Sequence, residues 1–354
     1  VWTNDHMLDS GIPTMAHSMG AAGYHPVLVG RMHSLGPDQL HGYAERLVGD
    51  HGPNYISGTG PSRGVLEGTA GPQRISLERS GSGQSGYQVH DEYVATATVD
   101  YQNRVGLARR SGISQETFNI SVGFMLPHAP FVARGEDFDR YVDEMTLPRK
   151  PKPFGEERHP HLRWWRSHTE IESVTDEEIL RARAAYWGMV TRVDTLIGQM
   201  MEALAANDLL ENTLIVYTSD HGDMVGEHGL WWKHVFYEES VRVPLIVSWP
   251  GVVPGGQRSG NVVSALDVNA TILDALDAPA LPNSPGRSVL GLIDGSDAEA
   301  DWDDVAFSEY CSDQFCPDGG CYQRMVRNGD WKLIYYHGQP AQLFNLAEDP
   351  DEMI

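Results

Sequence analysis

Residues 117–125 alternate apolar and polar side chains: Phe118, Ile120, Val122 and Phe124 fall on one side of an extended chain, and that period of two predicts a strand. Short apolar runs within 25–30, 214–219 and 244–248 predict three more. Between them the period is that of a helix. Residues 13–22 and 267–276 read as short helices. Thr175-Asp176-Glu177-Glu178 is a capping-box pattern opening the longest one, carried on by Tyr186, Met189, Val193, Ile197, Met200 and Leu204 at helical spacing. That stripe reads as core rather than as a cofactor box. Strands alternating with helices predict an α/β fold, a sheet with helices on its faces. Past Pro279-Ala280-Leu281-Pro282 the pattern turns to short strands at 305–309, 322–327, 331–336 and 343–346, which suit a small antiparallel sheet. The boundary is drawn near residue 300, giving units 1–300 and 301–354. No internal repeat is visible.

Composition narrows the function classes. The 354 residues carry 49 Asp plus Glu against 26 Lys plus Arg, a formal charge of −23. No basic run of the nucleic-acid type occurs, so a nucleic-acid partner is disfavoured. The field of such a chain also repels a long polyanionic glycan, although acidity serves solubility equally well. No stretch of 18 apolar residues is present, so no segment here is expected to span a membrane. Cys311, Cys316 and Cys321 lie five apart, which is not a usual zinc spacing. Two of them could form a disulfide, or all three could be ordinary reduced thiols.

The densest chemistry follows the run at 214–217. Thr218-Ser219-Asp220-His221-Gly222-Asp223 is followed by Gly226-Glu227-His228-Gly229 and Lys233. An acid beside an imidazole in a Gly-rich turn, at the C-terminal end of a strand, stands where open α/β sheets keep their ligands. Carboxylate plus imidazole suits a divalent metal, and a lysine just downstream suits an anion bound against it.

These segments resemble the type I sulfatases of the alkaline phosphatase superfamily, and others agree in the same order. Gly23-Tyr24 with Val29-Gly30-Arg31-Met32-His33, Pro127-His128-Ala129-Pro130-Phe131, Arg242-Val243-Pro244-Leu245-Ile246 with Trp249-Pro250-Gly251, and Gln342-Leu343-Phe344-Asn345-Leu346 with Glu348-Asp349-Pro350-Asp351-Glu352 each resemble a segment of that family. The resemblance covers nearly the whole chain. It implies an alkaline-phosphatase-like sheet flanked by helices on both faces, with a small C-terminal antiparallel subdomain. The family's pair of metal-binding aspartates and its Cys/Ser-x-Pro-x-Arg nucleophile motif precede the Gly23-Tyr24 segment and are not found. With Val1-Trp2-Thr3-Asn4 at one end and Asp351-Glu352-Met353-Ile354 at the other, the expectation is a fragment cut at both ends and inactive alone. A signal segment would lie outside it, which leaves localisation open. Thr59-Gly60-Pro61-Ser62-Arg63 fits the nucleophile pattern but follows Arg31 and His33 and sits in a Gly/Ser-rich stretch, so it reads as a surface loop.

By motif position the resemblance implies Asp220 and His221 as half of one divalent metal's ligands, calcium first, with manganese or zinc the alternatives because a histidine stands there. The nucleophile would be a formylglycine hydrate outside this chain. Lys233 corresponds to the sulfate-binding lysine and His128 to the proton donor for the leaving oxygen. Arg31 and His33 correspond to the groups that hold the hydrate and take its proton, with Arg31 replacing the usual lysine. The implied reaction is hydrolysis of sulfate monoesters. Residues 36–47 resemble the choline-sulfatase branch, which favours a small alkyl or choline-like sulfate, with Trp231 and Trp232 either facing a cationic headgroup or packing. A phosphonate or phosphate ester hydrolase and a non-catalytic binding protein are the rival readings. Oligomeric state is not legible.

Overall fold

The computed structural model describes residues 6–51, 64–114, 117–293, 301–312 and 321–354. In chain order, α1 (Met15–Ala21) leads to β1 (His25–Gly30) and β2 (Glu45–Val48). Next come α2 (Ile75–Glu78), β3 (Gly81–Ser82), α3 (Gly86–Arg110), β4 (Phe118–Gly123), β5 (Val132–Ala133) and α4 (Gly135–Asp139). Two longer helices follow, α5 (Pro160–His168) and α6 (Asp176–Ala206), and then β6 (Ile215–Thr218), α7 (Glu238–Val241), β7 (Leu245–Ser248), α8 (Ala265–Ala275) and α9 (Leu290–Ile293). Strands β8 (Val305–Ser312), β9 (Cys321–Asn328), β10 (Trp331–Tyr336) and β11 (Gln342–Asn345) end the chain.

β1 is the centre of a parallel sheet ordered β2-β1-β4. Its side chains alternate between two apolar layers, as the strand period demands. Leu28 packs with Ala16 and Met19 of α1 and Leu273 of α8, while Val27 and Val29 pack with Val94 of α3. Helices therefore cover both faces, as expected for the α/β class. β8 to β11 form the separate antiparallel sheet, ordered β11-β10-β9-β8, and its Met325, Ile334, Tyr336 and Phe344 enter the same core as Met189 and Val193 of α6.

The long helix starts where the capping pattern placed it. Glu178 donates its N–H to Thr175 Oγ1 at 3.3 Å, and Thr175 N–H donates to Glu178 Oε2 at 2.8 Å. Two elements depart from expectation. The 25-residue α3 was not legible, because its buried face uses Gln88, His90, Asp91, Thr98 and Gln102 beside few aliphatic residues, so no apolar stripe marks it. β6 reads as a buried strand but is half-exposed, with Tyr217 38 % exposed. Among the described residues it pairs only with β7, antiparallel, and a two-stranded ladder leaves much of both strands uncovered. Thr59 and Cys316 lie outside the described residues.

Candidate active site

Parallel pairing brings the C-terminal ends of β1 and β4 to one edge, with Gly30 opposite Gly123. Arg31 N–H donates to Gly123 O at 2.8 Å. A Cβ on Gly123 would stand 1.9 Å from Arg31 O, and one on Gly30 2.3 Å from Gly123 O, so only glycines let these ends close together. The loops beyond them carry Arg31 and His33 on one side and His128 on the other. Asp50, past β2, accepts the N–H groups of Met32 (3.0 Å) and His33 (3.4 Å), with Arg46 at 3.0 Å and Arg31 at 3.9 Å from its carboxylate. His33 lies within the fields of Arg31, Lys233 and Asp220.

Asp220 and His221 follow β6 directly. His221 Nδ1–H donates to Gly222 O at 2.8 Å, which leaves Nε2 as the lone-pair nitrogen, the tautomer a metal-ligating histidine takes when a carbonyl orients it. Nε2 is 3.4 Å from Asp220 Oδ2 and accepts from Lys233 Nζ at 2.7 Å. A carboxylate and an oriented imidazole fit part of a divalent ion's shell. Among the described residues no group of three or more His, Cys, Asp or Glu side chains completes it. The His128 and His221 rings are 6.1 Å apart, Lys233 bonds His221, and His33 lies in the fields of Arg31, Lys233 and Asp220, so the six residues singled out from sequence lie near one another.

The turn bearing Lys233 is tied down from beneath. Asp223 accepts the N–H groups of Val225 and Trp232, both at 3.0 Å. Gly222 N–H donates to Ser240 O of α7 at 2.7 Å, and Ser240 Oγ donates to Lys233 O at 2.9 Å. α7 is anchored in turn by the C-terminal motif: Glu352 accepts Glu238 N–H at 2.7 Å and pairs with the fully buried Lys332 at 2.7 Å. Asp50, Asp223, Glu352 and the His90-Asp91 pair at the start of α3 were not given roles by sequence reasoning. The advance signal was the place of Asp223 and Glu352 inside matched segments; nothing in the sequence marked Asp50 or the His90-Asp91 pair. Trp231 and Trp232, 1 % and 4 % exposed, belong to the core, with Trp231 against Phe131 at 5.5 Å.

Burial, reinforced by the Lys233 charge, pulls His128 down to about 4, so at neutral pH its ring is uncharged, and Nδ1–H donates to Ala129 O at 2.8 Å. Burial first, then opposed by Asp220, also lowers Lys233 below the ordinary lysine range. Burial likewise takes His161 and His228 to about 4 and His234 to about 3. The unfolded chain binds more protons at these histidines between about 4 and 6.5, so their contribution to stability is complete above 6.5 and is lost as pH falls, at about 1.4 kcal/mol per group per pH unit inside that window. Asp223, raised to about 6 by burial, and Glu352, also raised by burial, oppose this but are two groups against four. Urea midpoints should therefore drop from pH 6.5 to pH 4.5. A midpoint that holds or rises across that range contradicts the assignment.

Residues 3–278 match the family profile described as sulfatase, and residues 226–354 match that described as N-sulphoglucosamine sulphohydrolase, C-terminal. The choline-sulfatase of Rhizobium meliloti (strain 1021) is 33 % identical over 363 residues, covering 100 % of this chain and 69 % of that protein. Arylsulfatase K of Homo sapiens is 30 % identical over 342 residues, covering 89 % of this chain and 62 % of that protein, so the chain spans less than two thirds of that relative. The solved phosphonate monoester hydrolase of Agrobacterium radiobacter superposes with a TM-score of 0.77 at 23 % identity, covering 100 % of this chain and 78 % of that one. A 2-O GAG sulfatase superposes with a TM-score of 0.72 at 18 % identity, covering 100 % and 72 %. These two likenesses show the fold.

Proposed function

Because the chain belongs to the sulfatase family of sulfuric ester hydrolases, we propose that this site hydrolyses sulfate monoesters and releases inorganic sulfate. The observation that carries the reading is the Lys233 ammonium set 2.7 Å from the His221 lone pair, beside Asp220. A cationic pocket next to two metal-type donors suits a tetrahedral anion and a divalent ion together. Asp220 and His221 would hold the ion, calcium first, with manganese or zinc suited to the imidazole. When bound, such an ion neutralises sulfate oxygens and lowers the pKa of a coordinated nucleophile.

In this reading Lys233 binds the sulfate group. His128, uncharged in the free protein, gains its proton beside the bound anion and passes it from Nε2 to the departing alkoxide. Arg31 and His33 serve the nucleophile, a formylglycine hydrate carried with the remaining metal ligands on a segment outside residues 1–354. Residues 1–300 form the catalytic unit and residues 301–354 the subdomain that anchors α7. A small alkyl or choline-like sulfate is the favoured substrate, supported by the 33 % identity to a choline-sulfatase.

The full-length protein, offered choline-O-sulfate, nitrophenyl sulfate and a phenylphosphonate monoester, should show its highest kcat/KM on the first. Preference for the phosphonate would favour the phosphonate hydrolase reading. Preference for nitrophenyl sulfate would keep the reaction and reject the substrate.

A further inference from the structure

The corner after β2 that braces Met32 and His33 through Asp50, and the loop that carries His128, meet on one pair of residues in α3. His90 Nδ1 lies 3.0 Å from Asp91 Oδ1, and His90 Nε2 lies 2.8 Å from the main-chain carbonyl of Gly49. Neither partner has a proton to give. A carbonyl oxygen only accepts, and the Asp91 carboxylate, fully buried, already accepts Met125 N–H at 2.9 Å and Leu126 N–H at 2.8 Å. Two acceptors facing the two ring nitrogens require two N–H groups, and an imidazole carries two only as the cation.

We propose that His90 is held as an imidazolium and, with Asp91, is a positioning pair that ties the Gly49–Asp50 corner to the Met125–Leu126 corner. Through Gly49 it reaches Asp50, which holds the backbone of Met32 and His33. Through Asp91 it holds Met125 and Leu126, just past β4 and up to two residues before His128. Neither residue touches the sulfate pocket. Their effect on turnover rests on the sulfatase reading, whereas the charge on His90 does not.

The groups facing the ring agree on its charge. Asp91 comes from its own helix, and Gly49 and Asp50 come from the loop after β2. The β4 end offers only main-chain N–H groups, and these go to Asp91. The His51 ring is 6.1 Å away, and Asp50 is shared with Arg46 and Arg31. Burial opposes the cation, but the Asp91 bond, the Gly49 carbonyl and the Asp50 charge outweigh it, so His90 sits above the ordinary histidine range. When the ring loses a proton as pH rises, a lone pair meets an acceptor and one of the two ties is broken.

The test is nitrogen and carbon NMR of histidine-labelled full-length protein, with His90 assigned by its disappearance in His90→Gln. At pH 7.5 an ordinary histidine is about one-tenth protonated. His90 should be more fully doubly protonated than that, and Asp91→Asn should lower its midpoint. A ring no more protonated at pH 7.5 than an ordinary histidine, or a midpoint unmoved in Asp91→Asn, overturns the assignment. If His90→Gln fails to fold, the wild-type signal that moves in Asp91→Asn supplies the identification. In the folded His90→Gln protein, kcat should fall on the order of ten- to a hundredfold with divalent-metal content unchanged. An unchanged kcat removes the positioning role. A wild type without sulfate turnover rejects the sulfatase reading and leaves the imidazolium standing.

Discussion

Lys233→Ala in the full-length protein is expected to lose on the order of 10²–10³ in kcat on sulfate esters while keeping its divalent ion. The ammonium is a preorganised charge in a part-buried pocket, where its effect on an anion is far larger than in water. It reaches His221 through a lone pair rather than through a bond that builds the metal site, so its removal leaves both donors in place. Asp220→Ala is the complementary case: it deletes one of the metal-type donors and should lose ion and turnover together. Lys233→Arg should not restore full activity, because a planar fork does not reproduce a mobile point charge. Metal analysis of the purified variants beside their rates separates the roles. Lys233→Ala that loses its ion, or Asp220→Ala that keeps ion and rate, would show that the two residues had been assigned the wrong way round.

His128→Ala should slow alkyl sulfates by about 10²–10⁴-fold and nitrophenyl sulfate far less. A strongly basic alkoxide needs a proton as it departs, whereas a nitrophenolate leaves unaided. In the free protein burial and Lys233 hold His128 down to about 4, and a bound anion offsets that charge, so the midpoint in the complex must lie higher. With alkyl sulfates kcat should therefore fall on the alkaline side as His128 loses its proton, and the variant should lack that limb. Equal losses on both substrates would leave His128 as a sulfate-binding residue with no acid role.

Sequence and structure agree where side-chain period and structure share a cause. The alternation at 117–125 marked β4, and the Thr175-to-Glu178 pattern marked the start of α6, because burial and capping act locally. The six candidate residues could be picked out because each lies in a motif-dense segment after a strand, and the structure brings them near one another. What holds them in place was not legible. Helix α3 hides a polar buried face, and the acids that fix the loops act over long separations, such as Asp91 on Met125 and Leu126 or Glu352 on Glu238. For Trp231 and Trp232 the sequence left headgroup contact and packing open, and their burial in the core decides for packing.

Release of inorganic sulfate from an alkyl sulfate by the full-length protein, followed before and after removal of divalent ions with a chelator, tests the central claim most directly. The account predicts sulfate release in step with the alcohol, its loss on chelation, its return with calcium, manganese or zinc, and no return in His221→Ala at the same ion concentration. Sulfate release that is indifferent to the chelator, or restored equally in His221→Ala, would contradict it.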